Sequence, residues 1–179
     1  TLPAHPGDEV VVLGGGPIGL IFAMLYKAMG AHVTVSEPGE YRRALALALG
    51  ADEVINPKET DLEAALRAYA PQGADLIVDA VGVMLPTAIQ IAKKGARIAV
   101  FGVNQTATVN IPQYPITEKE LTIRGTYITK GTFPLAVKII ESGIIPIDKL
   151  VTHRLPLEQL LDGIELMVKG TAGKVVIEI

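Results

Sequence analysis

The sequence predicts an α/β chain built on an open, doubly wound parallel sheet of about six strands, with helices on both faces and a C-terminal appendage. Three observations carry this. Short apolar, β-branched runs recur along the chain, and stretches of helical length separate them. Gly, Pro or Asp punctuates nearly every change from one to the other. Hydrophobic residues make up 49% of the 179 residues against 20% charged, a balance that suits strands and helices buried on several sides. Regular alternation of strand and helix points to parallel strands joined by right-handed crossovers.

The elements follow in order. Glu9–Leu13 is a continuous apolar strand after the turn signal Pro6-Gly7-Asp8, and such runs suit a parallel strand covered on both faces. Pro17 stands at the first position of a helix whose apolar run reaches Met29 and stops at Gly30, the N-terminal proline and C-terminal glycine expected of a helix. His32–Ser36 is the second strand, closed by Glu37-Pro38, and a helix over 40–49 ends at Gly50. A short third strand over Glu53–Ile55 precedes Thr60-Asp61-Leu62-Glu63; Thr60 and Glu63, three apart, form a capping box that opens a helix to about residue 70. A fourth strand over 75–79, a helix over 83–93 and a fifth strand over 97–101 continue the alternation. The stretch 103–120 is rich in Asn, Gln, Thr and Pro and reads as a long loop or a short antiparallel piece. A sixth strand over 121–126 follows. The tail contributes a helix over 132–142, an extended piece over 150–155, a helix over 157–169 and a last strand over 174–179. Residues 1–131 are thus expected to form the main domain and 132–179 a C-terminal segment.

Composition excludes several functions. The net charge of -3, without a run of basic residues, gives no electrostatic support for binding nucleic acid. With no cysteine and only His5, His32 and His153, the chain offers neither disulfides nor a thiolate zinc site. Val10 to Tyr26 carries no charge, but glycines and a proline in its middle break a spanning helix, so no membrane association is expected. The first residues carry no signal or transit pattern, which makes the cytoplasm the default expectation. The nucleophile elbow G-x-S-x-G, the P-loop and the two-histidine helix of zinc proteases are absent.

One motif carries chemistry. Gly14-Gly15-Gly16-Pro17-Ile18-Gly19 fits G-x-G-x-x-G directly after a strand and at the mouth of a helix, the context that gives this pattern its meaning in Rossmann dinucleotide-binding folds. Gly14 allows the tight turn, Gly16 lets backbone approach a pyrophosphate, and Gly19 lets the helix pack close to the sheet. The free N–H groups and positive dipole end of the helix face the phosphates. Glu37, 18 residues after Gly19, ends the second strand, where a carboxylate accepts hydrogen bonds from the adenosine ribose and repels a 2′-phosphate; this favours NAD over NADP. Arg42 and Arg43 complicate that preference, since an arginine there pairs with a 2′-phosphate, stacks on adenine or is simply solvated. The strand ends Asp79-Ala80-Val81-Gly82 and Phe101-Gly102-Val103 point to the same cleft, with Asp79 either lining the nicotinamide side or capping the next helix.

Together with Pro6 to Leu20, the stretches Leu49-Gly50-Ala51-Asp52, Val78 to Gly82, Leu150 to Glu158 and Gly173 to Ile177 make the chain resemble the zinc-containing medium-chain alcohol, sorbitol and threonine dehydrogenases, nearly end to end. The tail stretches are most similar to the polyol-dehydrogenase branch. The resemblance implies that Gly14, Gly16, Pro17, Ile18 and Gly19 form the pyrophosphate turn, that Glu37 holds the adenosine ribose and that Arg42 lies against adenine. It also implies that backbone near Val81, Phe101 and Val103 meets the nicotinamide. It further implies a preceding domain that supplies the ligands of a catalytic zinc and receives the tail. No catalytic or metal-binding residue is assigned to this chain, and Glu37 departs from the commoner aspartate.

The expected function is therefore the NAD(H)-binding half of a zinc-dependent alcohol or polyol dehydrogenase. The intact enzyme would move hydride between a small-molecule secondary alcohol and NAD, and the fragment alone would be inactive. Alternatives are a zinc-free NADPH quinone or enoyl reductase of the same superfamily and a non-enzymatic NADH-sensing module. A methyltransferase is disfavoured by the completed third glycine. A homo-oligomer, paired through the strand near residues 121–127, is expected because an unpaired edge strand favours association.

Overall fold

The computed structural model describes residues 2–127 and 131–179. Six parallel strands form one sheet in the order β3-β2-β1-β4-β5-β6. They are β1 (Glu9–Leu13), β2 (His32–Ser36), β3 (Glu53–Ile55), β4 (Ala74–Asp79), β5 (Ala92–Val100) and β6 (Thr122–Gly125). The chain winds outward from β1 to β3, returns to the middle and winds outward again, so β1 and β4 are neighbours whose connections leave in opposite directions. A doubly wound sheet opens a crevice at that point, beyond the carboxyl ends of its strands.

Alternation along the strands sorts the core into two layers. Val10 and Val12 of β1 lie beside Leu76 and Val78 of β4, and Val11 lies beside Ile77. The first set packs with Val33, Val35 and Ala99 against α1 (Pro17–Ala28) and α2 (Glu40–Ala48). The second packs with Leu13 and Ile98 against α3 (Leu62–Arg67) and α4 (Leu85–Ile91). Leu13, Ile77 and Ile98 are at most 1% exposed, as central parallel strands covered on both faces require.

Three elements of the main sheet domain differ from the sequence expectation, and in the tail a short helix over Ile147–Leu150 is unexpected and the helix expected over 157–169 begins only at Leu160 after a 3₁₀ turn. The third helix is not opened by a Thr60/Glu63 capping box: Asp61 is its cap, its Oδ1 accepting from the Ala64 N–H at 2.7 Å. Glu63 instead turns to Arg67 and Gln90. The helix expected over 83–93 spans only Leu85–Ile91, and β5 starts at once at Ala92 rather than at 97. Ala92 takes the extended conformation and pairs with Ala74 across a register shift, so sheet pairing overrides helical continuation there. Within 103–120 there is no antiparallel strand among the described residues; a short helix, α5 (Tyr114–Glu118), packs its Ile116 on the second core layer.

The tail comprises α6 (Phe133–Glu141), α7 (Ile147–Leu150), β7 (Val151–Pro156), a 3₁₀ turn, α8 (Leu160–Lys169) and β8 (Lys174–Glu178). The expected extended pieces β7 and β8 pair with each other in parallel as a separate two-stranded sheet. Ile145 and Leu150 are buried in the first core layer, which ties the tail to the main sheet.

Two carboxylates secure the edge opposite the crevice. Burial alone would raise Asp52, but two bonds from Lys27 Nζ at 2.7 and 2.8 Å and the Val33 N–H hold it below the usual carboxylate range. Asp8 is likewise lowered against its burial by the His5 N–H and the Arg97 guanidinium. A carboxyl depressed in the fold stabilises it above its unfolded value near 3.8, and that contribution is lost as pH falls through the folded value. Urea midpoints should therefore stay level from about pH 7 to 5 and drop below about pH 4. Asp52→Asn should make that acid drop shallower, and an unchanged drop would remove Lys27–Asp52 from the explanation.

Candidate cofactor site at the switch point

The glycine turn sits where β1 ends and α1 begins. Gly14 has φ +103 and its N–H donates to Ser36 O at 2.9 Å, so the chain leaves the sheet in a conformation open to glycine and costly for other residues. A Cβ at Gly19 would fall far inside contact distance of the Gly14 carbonyl oxygen; only a hydrogen there lets α1 lie against the strand. A Cβ at Gly16 would meet nothing within 4 Å, so this backbone borders open space.

Helix α1 has Gly16 at its N-cap, Pro17 in its first turn, no acidic residue there and no side-chain cap. The amides of Gly16, Ile18 and Gly19 have no acceptor among the described residues, and the first intrahelical-type bond runs from the Leu20 N–H to Gly16 O. Free N–H groups and a positive dipole end converge on an open space, the arrangement that binds a phosphate group.

Two buried carboxylates flank the turn. Glu37, at the end of β2, is 6% exposed; its Oε2 accepts from the Gly15 N–H and its Oε1 from the Gly39 N–H, both at 2.8 Å. A carboxylate offers about four acceptor positions, so two remain for hydroxyls. Asp79, at the end of β4, is 1% exposed. Its Oδ1 accepts from the Val81 and Gly82 N–H groups at 2.9 and 2.7 Å, and its Oδ2 from the Met84 N–H at 2.9 Å. It therefore fastens the β4–α4 turn, while the N-cap of α4 is Met84.

The remaining candidates spread along the same rim. Ile18 is 45% and Val81 46% exposed. Phe101 packs edge-on against Phe22 of α1, with centroids 5.0 Å apart. Val103 is 61% exposed and borders a cavity of about 1000 Å³, shared with Phe101, Arg124, Tyr127, Leu135 and Ile139. Arg42 faces elsewhere: its Nη2 donates to Met167 O of α8 at 3.3 Å, and its Nε is buried without a partner among the described residues. Arg43 returns to the strand end, donating to Glu37 O and Pro38 O. Sequence reasoning missed Gly15 and Gly39 as donors to Glu37; the only signal was a glycine two residues beyond an acidic strand end.

A Rossmann fold with a glycine turn, free helix amides and a carboxylate at the end of its second strand defines a dinucleotide-binding class of protein. Residues 17–142 match the family described as zinc-binding dehydrogenase, and the chain belongs to that family. It is 32% identical to a sorbitol dehydrogenase of Bombyx mori over 97% of its length and 36% identical to an L-threonine 3-dehydrogenase of Bacillus licheniformis over 96%. It spans about half of each, 51%. Among solved structures it superposes with a TM-score of 0.90, at 29% identity, on a protein of E. coli CFT073 described as a short-chain alcohol dehydrogenase complexed with NADH. It covers 98% of this chain and 53% of that one. A zinc-binding dehydrogenase of Sinorhizobium meliloti bound to NADP superposes at 0.85 with 28% identity, over 97% of this chain and 52% of that one.

Zinc does not fit the described residues. No three His, Cys, Asp or Glu side chains converge among them. No helix among them is long and apolar enough to cross a membrane.

Proposed function

We propose that the chain is the NAD(H)-binding half of an alcohol or polyol dehydrogenase. The observation that carries this is the open space at Gly16, faced by the unpaired amides of Gly16, Ile18 and Gly19 and flanked by the Glu37 carboxylate. Bound there, the dinucleotide supplies hydride transfer. Gly14 and Gly19 shape the turn that admits the pyrophosphate, and Pro17 fixes the helix start. Glu37 accepts from the adenosine ribose hydroxyls, while Val81, Phe101 and Val103 border the nicotinamide end. Arg42 links α2 to α8 through Met167 O.

The substrate, a small-molecule secondary alcohol, and the catalytic zinc belong in this reading to a preceding half. The tail supports such a half. Phe133 on α6 and Leu161 and Val168 on α8 are 72%, 77% and 81% exposed, large apolar side chains that a covering half would bury, and the relatives are about twice as long as this chain. We take residues 132–179 as the segment that packs on it.

Titration of the chain into NADH and into NADPH, followed by nicotinamide fluorescence without interference because tryptophan is absent, tests the cofactor. Saturation with NADH and at least tenfold weaker NADPH binding, about 1.4 kcal/mol, is expected. Tighter NADPH binding would instead favour the reductase reading.

Self-association is part of the proposal. Strand β6 is the sheet edge and Thr122, Arg124 and Gly125 on it are exposed, a row of backbone groups open to a second copy. Sedimentation should show a mass that rises with concentration to a dimer; a concentration-independent monomer contradicts it.

A further inference from the structure

We propose that Asp79 is the positioning residue for the nicotinamide end of the cofactor, setting the backbone that contacts the ring through five hydrogen bonds of its own. This rests on the dinucleotide reading above.

The Asp79 carboxylate faces backbone amides and is closed off from the crevice. The side chain is 1% exposed, and both oxygens are turned onto the Val81, Gly82 and Met84 amides. Its backbone oxygen works in the other direction, accepting from the Phe101 N–H at 3.0 Å and the Gly102 N–H at 2.8 Å. A single residue thus ties the end of β5 and the β4–α4 turn to the end of β4.

The two tied segments also interlock. Gly82 has φ +96, and a Cβ on it would lie 2.8 Å from the Gly102 carbonyl carbon and oxygen. A Cβ on Gly102 would collide with the Val81 and Gly82 backbone. Glycine at both positions brings the segments into backbone contact; the Asp79 carboxylate, accepting three N–H groups, fixes the β4–α4 turn, and the Asp79 main-chain oxygen holds the end of β5 beside it. Charge-assisted bonds like those of the carboxylate are roughly twice as strong as neutral ones. Val81 and Val103, the exposed side chains at this end of the crevice, are carried on these two segments.

Glu37 holds the Gly15 and Gly39 amides on the other side of β1, so the adenosine and nicotinamide ends rest on separate carboxylates. That separation gives the test. NADH and ADP-ribose share the adenosine, pyrophosphate and second ribose, and only NADH carries the nicotinamide ring that meets the Asp79 side.

The wild-type chain should bind NADH more tightly than ADP-ribose. Asp79→Ala should lower NADH affinity at least tenfold, weaken the fluorescence change of bound NADH, and leave ADP-ribose within twofold. Asp79→Asn should fall between, because its single oxygen still serves Val81 and Gly82 while its NH₂ meets the Met84 N–H. If Asp79→Ala does not fold, Asp79→Asn carries the same comparison. Parallel loss of both ligands, or unchanged NADH affinity in a folded variant, overturns the inference alone. A wild-type chain that binds neither ligand overturns the proposed function together with it.

Discussion

Gly19→Ala is expected to abolish NADH binding and to destabilise the fold by at least the upper end of the overpacking range, about 3 kcal/mol. The added carbon would coincide with the Gly14 carbonyl and press on Val12 Cγ1 at 3.2 Å. The first obstacle is backbone, which has no rotamer to escape into. Relief requires α1 to move off β1, opening the turn that faces the phosphates. Gly16→Ala, three residues earlier, should do the opposite. Its φ of -69 and ψ of 174 suit alanine and its Cβ meets nothing within 4 Å, so stability should hold within about 0.5 kcal/mol while NADH affinity falls at least tenfold. Urea unfolding alongside NADH titration separates the two. Unchanged NADH affinity in a stable Gly16→Ala variant would mean that the space at Gly16 is not where a ligand lies.

Glu37 should control both affinity and cofactor choice. Glu37→Ala strips the acceptor from the Gly15 and Gly39 amides, and leaving a buried group unpaired costs about 1–3 kcal/mol. The turn should loosen and NADH binding should weaken at least tenfold. Glu37→Gln is the sharper probe. It keeps one acceptor oxygen and nearly the same volume but removes the negative charge that repels a 2′-phosphate, so the preference for NADH over NADPH should shrink; its NH₂ faces either the Gly15 or the Gly39 N–H, so stability should fall by about 1–3 kcal/mol. An unchanged preference would assign cofactor choice to another group, with Arg43, bonded to Glu37 O and Pro38 O, the next to examine.

The elements that sequence made legible are those in which every local signal agreed. β1, α1 and β2 lie where the apolar runs, Pro17 and Gly30 placed them, because patterning, capping and tertiary packing favour the same answer there. Boundaries slipped where a long-range contact outweighed a local one. Lys93 reads as the end of a helix, yet Ala92 already pairs with Ala74 across the sheet. Thr60 and Asp61 both suit a helix cap, and only the fold shows which side chain reaches the Ala64 N–H.

The candidate site shows the same division. The glycine turn was legible as a motif because its spacing encodes a local geometry. What Asp79 holds was not, because its backbone partners Phe101 and Gly102 follow the next strand, over twenty residues away. Arg42 shows the limit of position alone: it follows β2 as an adenine-facing arginine would, but its guanidinium lies against Gly170 and the last turn of α8.

The central claim, that a dinucleotide lies across the switch point from Glu37 to Val103, is tested most directly by amide-resolved NMR of the isotope-labelled chain titrated with NADH. The account predicts the largest shifts at the amides of Gly16, Ile18 and Gly19, with further shifts at Glu37, Val81 and Val103 and little change in α8 or β8. Shifts confined to the tail, or none at the glycine turn at saturating NADH, would contradict it.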